Sequence, residues 1–319
     1  MKITQLKING VTGPVGYTLD KVICSWKVEE TESREQTDAK IQVSSSEDFS
    51  EILWEKKGED LDRTGTVIDI ELKPRTSYWY RVHVTGDKGD SAVGTGYFET
   101  GKMDEEWKAQ WISPAKEDRF HPVLRKSFRA ERPVKRAWLY ATGVGVFEAY
   151  LNGKKLGEEY LAPYINNYET NIQTFTFPAD VKEGENTLEF LLGKGWYMGT
   201  FGLEGQSENY GDRMAAIGEL YLEYKDGTEE CICTDGTWQY RGSDIEESGI
   251  YLGEILNRLL WDGKENPWKD VEVLADPEKD PGTKNLVKSH LMDRLSLPVI
   301  VKEEVDVKEI IHTPAGETV

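Results

Sequence analysis

Cysteine is scarce in this chain of 319 residues: there are three, Cys24, Cys231 and Cys233. Three thiols make a poor disulfide framework. Cys231 and Cys233 stand two apart on a predicted strand and so face one side, as small apolar residues of a reducing compartment do. The four histidines, His83, His121, His290 and His312, lie far apart with no metal-ligand spacing, so no metal site is expected from them. No apolar run approaches the ~20 residues a spanning helix needs. The opening MKITQLKING lacks an apolar signal core, which makes the cytoplasm the expected location. Positive charge is also in deficit, with 39 basic residues against 58 acidic ones and a net charge of −19. That field repels nucleic acid and anionic membrane alike and argues against both as partners. Absent too are His-Glu-x-x-His, Gly-x-Ser-x-Gly, a phosphate loop and Cys-x-x-Cys. No apolar period of 3.6 residues runs beyond two turns, so helices should be minor.

What the chain does have is alternation. Residues 24–28, 39–44 and 78–84 alternate in strand fashion, with turn clusters such as Gly13-Pro14 and residues 86–90 between them. Residues 1–103 are therefore expected to form a fibronectin type III-like sandwich, a structural spacer with Trp26 and Trp79 in its core. Trp107 and Trp111 anchor the joint to a second unit, residues 104–273, in which turns recur every ~10–15 residues and suit a jelly-roll. Residues 275–282 make a charged, proline-broken linker. Residues 274–319 then read as that linker followed by the start of a further β-sandwich, with strands at 298–305 and 307–311 and a turn at 313–316. The expected fold class is all-β: two sandwiches and a C-terminal stub.

The most structured stretch runs over residues 139–199. Residues 144–151 form a strand, and Asn152-Gly153 is a two-residue hairpin signal because both residues tolerate positive φ. Residues 154–161 should run back as the partner strand. A second turn at 183–186 feeds the strand 187–192, which ends in Gly193, Gly195 and Gly199 around Trp196 and Tyr197. Glycines beside bulky rings suggest an aromatic loop standing proud of the sheet. The order LRKSF (124–128), EAYLNGKKLG (148–157), LAP (161–163) and LGKGWYMG (192–199) resembles the N-terminal accessory region of bacterial α-L-rhamnosidases. ENYGDR (208–213), YLEYKDG (221–227), TDGTWQY (234–240) and IYLGEILNR (250–258) continue it. One departure follows Pro163. The family usually has a Gly-Trp-Thr-type segment there, where this chain reads Tyr164-Ile165-Asn166-Asn167-Tyr168.

The resemblance implies a parent enzyme that releases terminal rhamnose by inversion, one carboxyl acting as acid while a second carboxylate activates water. By the same resemblance that pair lies in an (α/α)6 barrel beyond this sequence. The chain alone is then inactive, with no catalytic residues and the missing catalytic domain as its partner. The doublets Glu158-Glu159, Glu229-Glu230, Glu246-Glu247 and Glu303-Glu304 read as solvated strand ends or turns, and since adjacent strand residues point to opposite faces they are badly placed to flank one bond. Rhamnose-containing sugars are the other candidate partners. Trp196, Tyr197 and Tyr168 would offer rings to the apolar face of a pyranose, and Asn166 and Asn167 would bind its hydroxyls. The alternatives are an independent carbohydrate-binding module and a pure scaffold in which those rings serve packing. No cofactor is expected, although calcium held by Asn166, Asn167, Glu169, Glu208 and Asp212 is conceivable chemistry for irregular loops.

Overall fold

The computed structural model describes residues 1–202, 205–260, 266–274, 286 and 290–318. The fold is all-β. The helix Gly195–Met198 has only four residues. The expected linker at 275–282 lies outside the described residues.

The first sandwich sets a three-stranded sheet (Lys2–Ile8, Val22–Glu29, Thr66–Ile68) on a four-stranded one (Ile52–Gly58, Gln36–Ser44, Ser77–Gly86, Ser91–Glu99). Strand alternation decides which side chains meet between them. In Ser77–Gly86 every second residue is buried, so Tyr78, Tyr80, Val82 and Val84 point inward. Trp26 joins them from the facing sheet and is 4% exposed, as expected. Trp79 does not. It falls on the outward phase of the strand and is half-buried on the opposite face, because a one-residue step reverses the side. Tyr78 stacks on Phe98 at 5.1 Å, and Cys24 lies in the same core, where burial pushes its thiol up to about 12.

The second sandwich is larger. Among the described residues one sheet has the order Glu272–Val273, Ile112–Ser113, Ala215–Tyr224, Val134–Val144, Asn171–Pro178, His290–Asp293, with Glu229–Cys233 also paired to Ala215–Tyr224. The facing sheet runs Lys154–Lys155, Val146–Leu151, Gly184–Gly193, Pro122–Ala130, Gln239–Gly242, Lys269–Asp270. Phe190, Leu188 and Leu192 fill the space between, and Phe190 lies flat on Trp238 with ring centroids 5.3 Å apart. Burying each such side chain stabilises the sandwich by roughly 1.5–3 kcal/mol. The Asn152-Gly153 turn forms as its chemistry requires, with φ of 52° and 76°. Its return strand is shorter than expected, however, and stops at Lys155. At Gly157 the chain turns away with φ +72° under the Phe177 ring, where a Cβ would stand 2.8 Å from that ring. Gly184–Gly193 is the long partner of Val146–Leu151, on its other edge. Cys231 and Cys233 do share a side, with their sulfurs 3.4 Å apart as free thiols.

The two sandwiches are joined through polar groups. Lys102 (1% exposed) follows the last strand of the first unit, and its ammonium reaches the fully buried Glu219 on Ala215–Tyr224. Glu219 also accepts from the backbone N–H groups of Lys108 and Ala109 and from the Tyr221 hydroxyl. Asp293 accepts from the backbone N–H groups of Lys102 and Met103, each at 3.0 Å. Arg294 then pairs backbone groups with Gly16 and Thr18. A buried charge needs partners of this kind to offset desolvation.

The C-terminal expectation fails in part. Residues 298–305 and 307–311 form no strand, and Val301, Val305, Val307 and Ile310 are exposed. Alternation makes a segment fit for pairing, but a strand exists only with a neighbour to take its hydrogen bonds. The turn after Thr313 is present, closed by Gly316 N–H to the Thr313 carbonyl.

Candidate functional site

The loop end of the second sandwich gathers the residues that the sequence singles out, but it turns most of them inward. Tyr168 and Tyr197 are fully buried and meet edge to face at 5.0 Å, with Tyr210 5.0 Å from Tyr168. The Tyr168 hydroxyl donates to the Tyr164 carbonyl at 3.2 Å, and burial holds its ionisation far above the ordinary tyrosine range. The glycines explain the difference from a ring standing proud. At Gly211 a Cβ would lie 2.2 Å from the Tyr197 hydroxyl, so glycine lets the backbone close over the ring. Tyr197 and Tyr168 are core residues here and present no face to a pyranose.

Asn166 is buried as well, and it works as a loop clamp. Its amide donates to the carbonyls of Pro163 (3.1 Å) and Tyr164 (3.3 Å), while its oxygen accepts from the Gln173 backbone N–H at 3.1 Å. Asn167 keeps an exposed side chain. Trp196 is half-buried, one side packed on the core. Of the five sequence-picked residues, Asn167 and Trp196 retain surface. The oxygen groups considered for calcium are spread among other partners. Glu208 pairs with Arg119, Asp212 pairs with Lys116 at 2.9 Å, and the Asp212 carbonyl accepts from Arg119. Among the described residues no group of three or more His, Cys, Asp or Glu side chains is arranged to hold a metal ion.

Of the acid doublets, Glu229-Glu230 and Glu246-Glu247 lie on strands, while Glu158-Glu159 and Glu303-Glu304 do not. Glu159 accepts from Arg294 and Tyr164, Glu230 from Tyr224, Glu246 from Asn257, and Glu247 pairs with Lys194 at 3.0 Å. Sequence reasoning missed a different feature. The outer face of the sheet built on Gly184–Gly193 carries a cleft of about 480 Å³ lined by Tyr150, Glu189, Arg241, Asp244, Arg258 and Asn266. The available signal was the polar phase of each alternating strand, but no single strand shows which charges the register brings together.

Two β-sandwiches in tandem, a small one of immunoglobulin type and a larger jelly-roll, define the class of protein. A family described as Alpha-L-rhamnosidase N-terminal domain matches residues 132–303, more than half of the chain, and one described as Rha78A-like, N-terminal immunoglobulin domain matches residues 3–104. The chain belongs to the α-L-rhamnosidase N-terminal domain family. An α-L-rhamnosidase of Streptomyces avermitilis is 31% identical over 60% of this chain and 19% of its own length. One from Formosa agariphila is 26% identical over 96% of this chain and 37% of its own. Among solved structures, the α-L-rhamnosidase from Dictyoglumus thermophilum shares the fold with a TM-score of 0.77 at 24% identity, covering 98% of this chain and 37% of that one. The Streptomyces avermitilis α-L-rhamnosidase complexed with L-rhamnose gives 0.81 at 18% identity, over 97% and 47%. The chain thus spans less than half the length of each relative.

Proposed function

We propose that this chain is the non-catalytic N-terminal part of an α-L-rhamnosidase and supports a catalytic domain carried by the rest of that polypeptide. The observation that carries the reading is the asymmetry of coverage. Nearly all of this chain aligns with relatives named for the activity, yet it accounts for 37–47% of the solved ones. The test is hydrolysis of an aryl α-L-rhamnoside. The 319-residue chain alone should give background rates, and co-expression with the remaining polypeptide should give turnover. Turnover by the purified chain that survives repurification overturns the reading.

A second reading, sugar binding at the loop end, draws support from the half-exposed Trp196 indole and from Asn167, an exposed amide that both donates and accepts. A relative of the same fold was solved with L-rhamnose. Affinity at so shallow a place would be about mM to tens of μM. Titration with L-rhamnose, with and without calcium, checks it through tryptophan fluorescence. If nothing saturates, or Trp196→Ala changes nothing, the loop end serves packing and the scaffold role stands alone. A cytoplasmic location belongs to the same proposal and is read by cell fractionation.

A further inference from the structure

The outer face of the larger sandwich carries charge that the fold leaves unneutralised. Directly opposed residues of antiparallel strands share a face, and the register aligns Tyr150, Glu189, Arg125 and Gln239 in one row across four strands. The next row on that face reads Glu148, Leu191, Val123 and Arg241. The 480 Å³ cleft lies over these rows and falls within the size range of small-ligand sites. Its lip is held in place: the Gly242 N–H donates to the Asn266 side-chain oxygen at 2.9 Å, and the Asn266 amide donates back to the Gly242 carbonyl at 2.8 Å. Arg241 and Arg125 both stack on Trp268, their guanidinium carbons 4.5 and 4.3 Å from its ring centroid. That contact orients Arg241 without consuming its hydrogen-bond donors.

Several arginines elsewhere find carboxylates, as in Arg75–Glu105, Arg132–Asp226, Arg213–Glu272 and Arg294–Glu159, although among the described residues Arg34, Arg63 and Arg81 do not. Among the described residues Arg125, Arg241 and Arg258 have no such partner, in a chain where 58 acidic residues outnumber 39 basic ones. Glu189 and Asp244 beside them are also without ion pairs. A face that leaves guanidinium groups and carboxylates unpaired side by side is suited to a ligand bearing both charge and paired hydroxyls. We propose that this cleft binds an acidic oligosaccharide, with uronate carboxylates on Arg241 and Arg258 and sugar hydroxyls on Glu189 and Asp244. The planar guanidinium fork matches a carboxylate with two parallel N–H donors. Each free carboxylate accepts from a sugar O–H, and Tyr150, Val123 and Leu191 in the lining supply apolar surface. The cleft shares none of its lining with Trp196 or Asn167, so this site stands or falls apart from the loop end and from the rhamnosidase reading.

The probe is a hexamer of galacturonic acid titrated calorimetrically into the 319-residue chain, with a neutral glucose hexamer as the second arm. The acidic hexamer should saturate with a Kd of about 10–500 μM, weakening as NaCl rises from ~50 to ~300 mM, and the neutral one should bind at least ~10-fold less tightly. Arg241→Ala and Arg258→Ala should each weaken binding by about tenfold or more while near-UV circular dichroism stays that of the parent. Trp196→Ala should leave it unchanged. Lack of saturation at about 5 mM acidic hexamer overturns the proposal. So does parental affinity in both arginine variants, or equal binding of the neutral hexamer.

Discussion

The loop end and the sheet face of the larger sandwich differ in what they leave unsatisfied. At the loop end Tyr168, Tyr197 and Tyr210 pack on one another, and Asn166 spends its amide on neighbouring backbone. On the sheet face Arg241, Arg258, Glu189 and Asp244 converge without ion-pair partners among the described residues. Aromatic abundance marks the first place in the sequence, yet buried rings contribute stability and offer no ligand contact. Charged residues on a strand look ordinary in sequence and become a candidate site through register. Unspent hydrogen-bonding capacity is the better guide to recognition.

Substitutions can separate the two regions. The largest effect is expected at the loop end. Tyr197→Ala should cost about 3–5 kcal/mol by denaturant unfolding, as truncation of a fully buried aromatic does. A loss under ~1 kcal/mol would mean the ring is not core and would return it to the list of sugar contacts. The same contrast of inner and outer phases operates in the first sandwich. Trp26→Ala should also cost ~3–5 kcal/mol and Trp79→Ala about 1, and equal losses would contradict the observed alternation.

A pH effect of intermediate size should arise next to the cleft. The ring of His121, which immediately precedes Pro122–Ala130, is 1% exposed, and neither ring nitrogen has a hydrogen-bond partner among the described residues. Burial, aided by the Lys194 charge, lowers its pKa to about 4. The unfolded state therefore binds a proton first, and stability present above pH ~6.5 is lost as pH falls toward 4, by up to about 3 kcal/mol. Asp293 acts in the opposite sense. Burial raises it to about 6, so its contribution is present below the unfolded pKa of ~3.9 and is lost as pH rises through about 6. The parent chain should show a shallow profile between these limits, and His121→Gln should tilt it toward greater stability in acid. Unfolding curves at several pH values decide this, and an unchanged profile in the variant removes His121 from the account. The smallest effect belongs to the sheet face: Arg241→Ala should shift stability by no more than ~0.5 kcal/mol, and a large loss would recast the arginine as a structural support.

Much of the fold was legible beforehand because its cause is local. Period-two alternation announced the strands, Asn152-Gly153 announced its hairpin, and Trp26 fell on the inward phase of a readable strand. The order of short motifs also pointed to the family. What stayed illegible depends on pairing across the chain. Lys154–Lys155 ends early because the chain turns away at Gly157 under the Phe177 ring, and residues 298–311 look like strands in composition but enter no ladder. The tyrosines of the loop end could be read as a platform until Gly211 closed over Tyr197. Sequence by itself settled the all-β class and the positions of most turns, since propensity and alternation act over a few residues. Tertiary structure alone decided which rings are core and which charges meet, because register and burial are set by contacts between residues far apart in the chain.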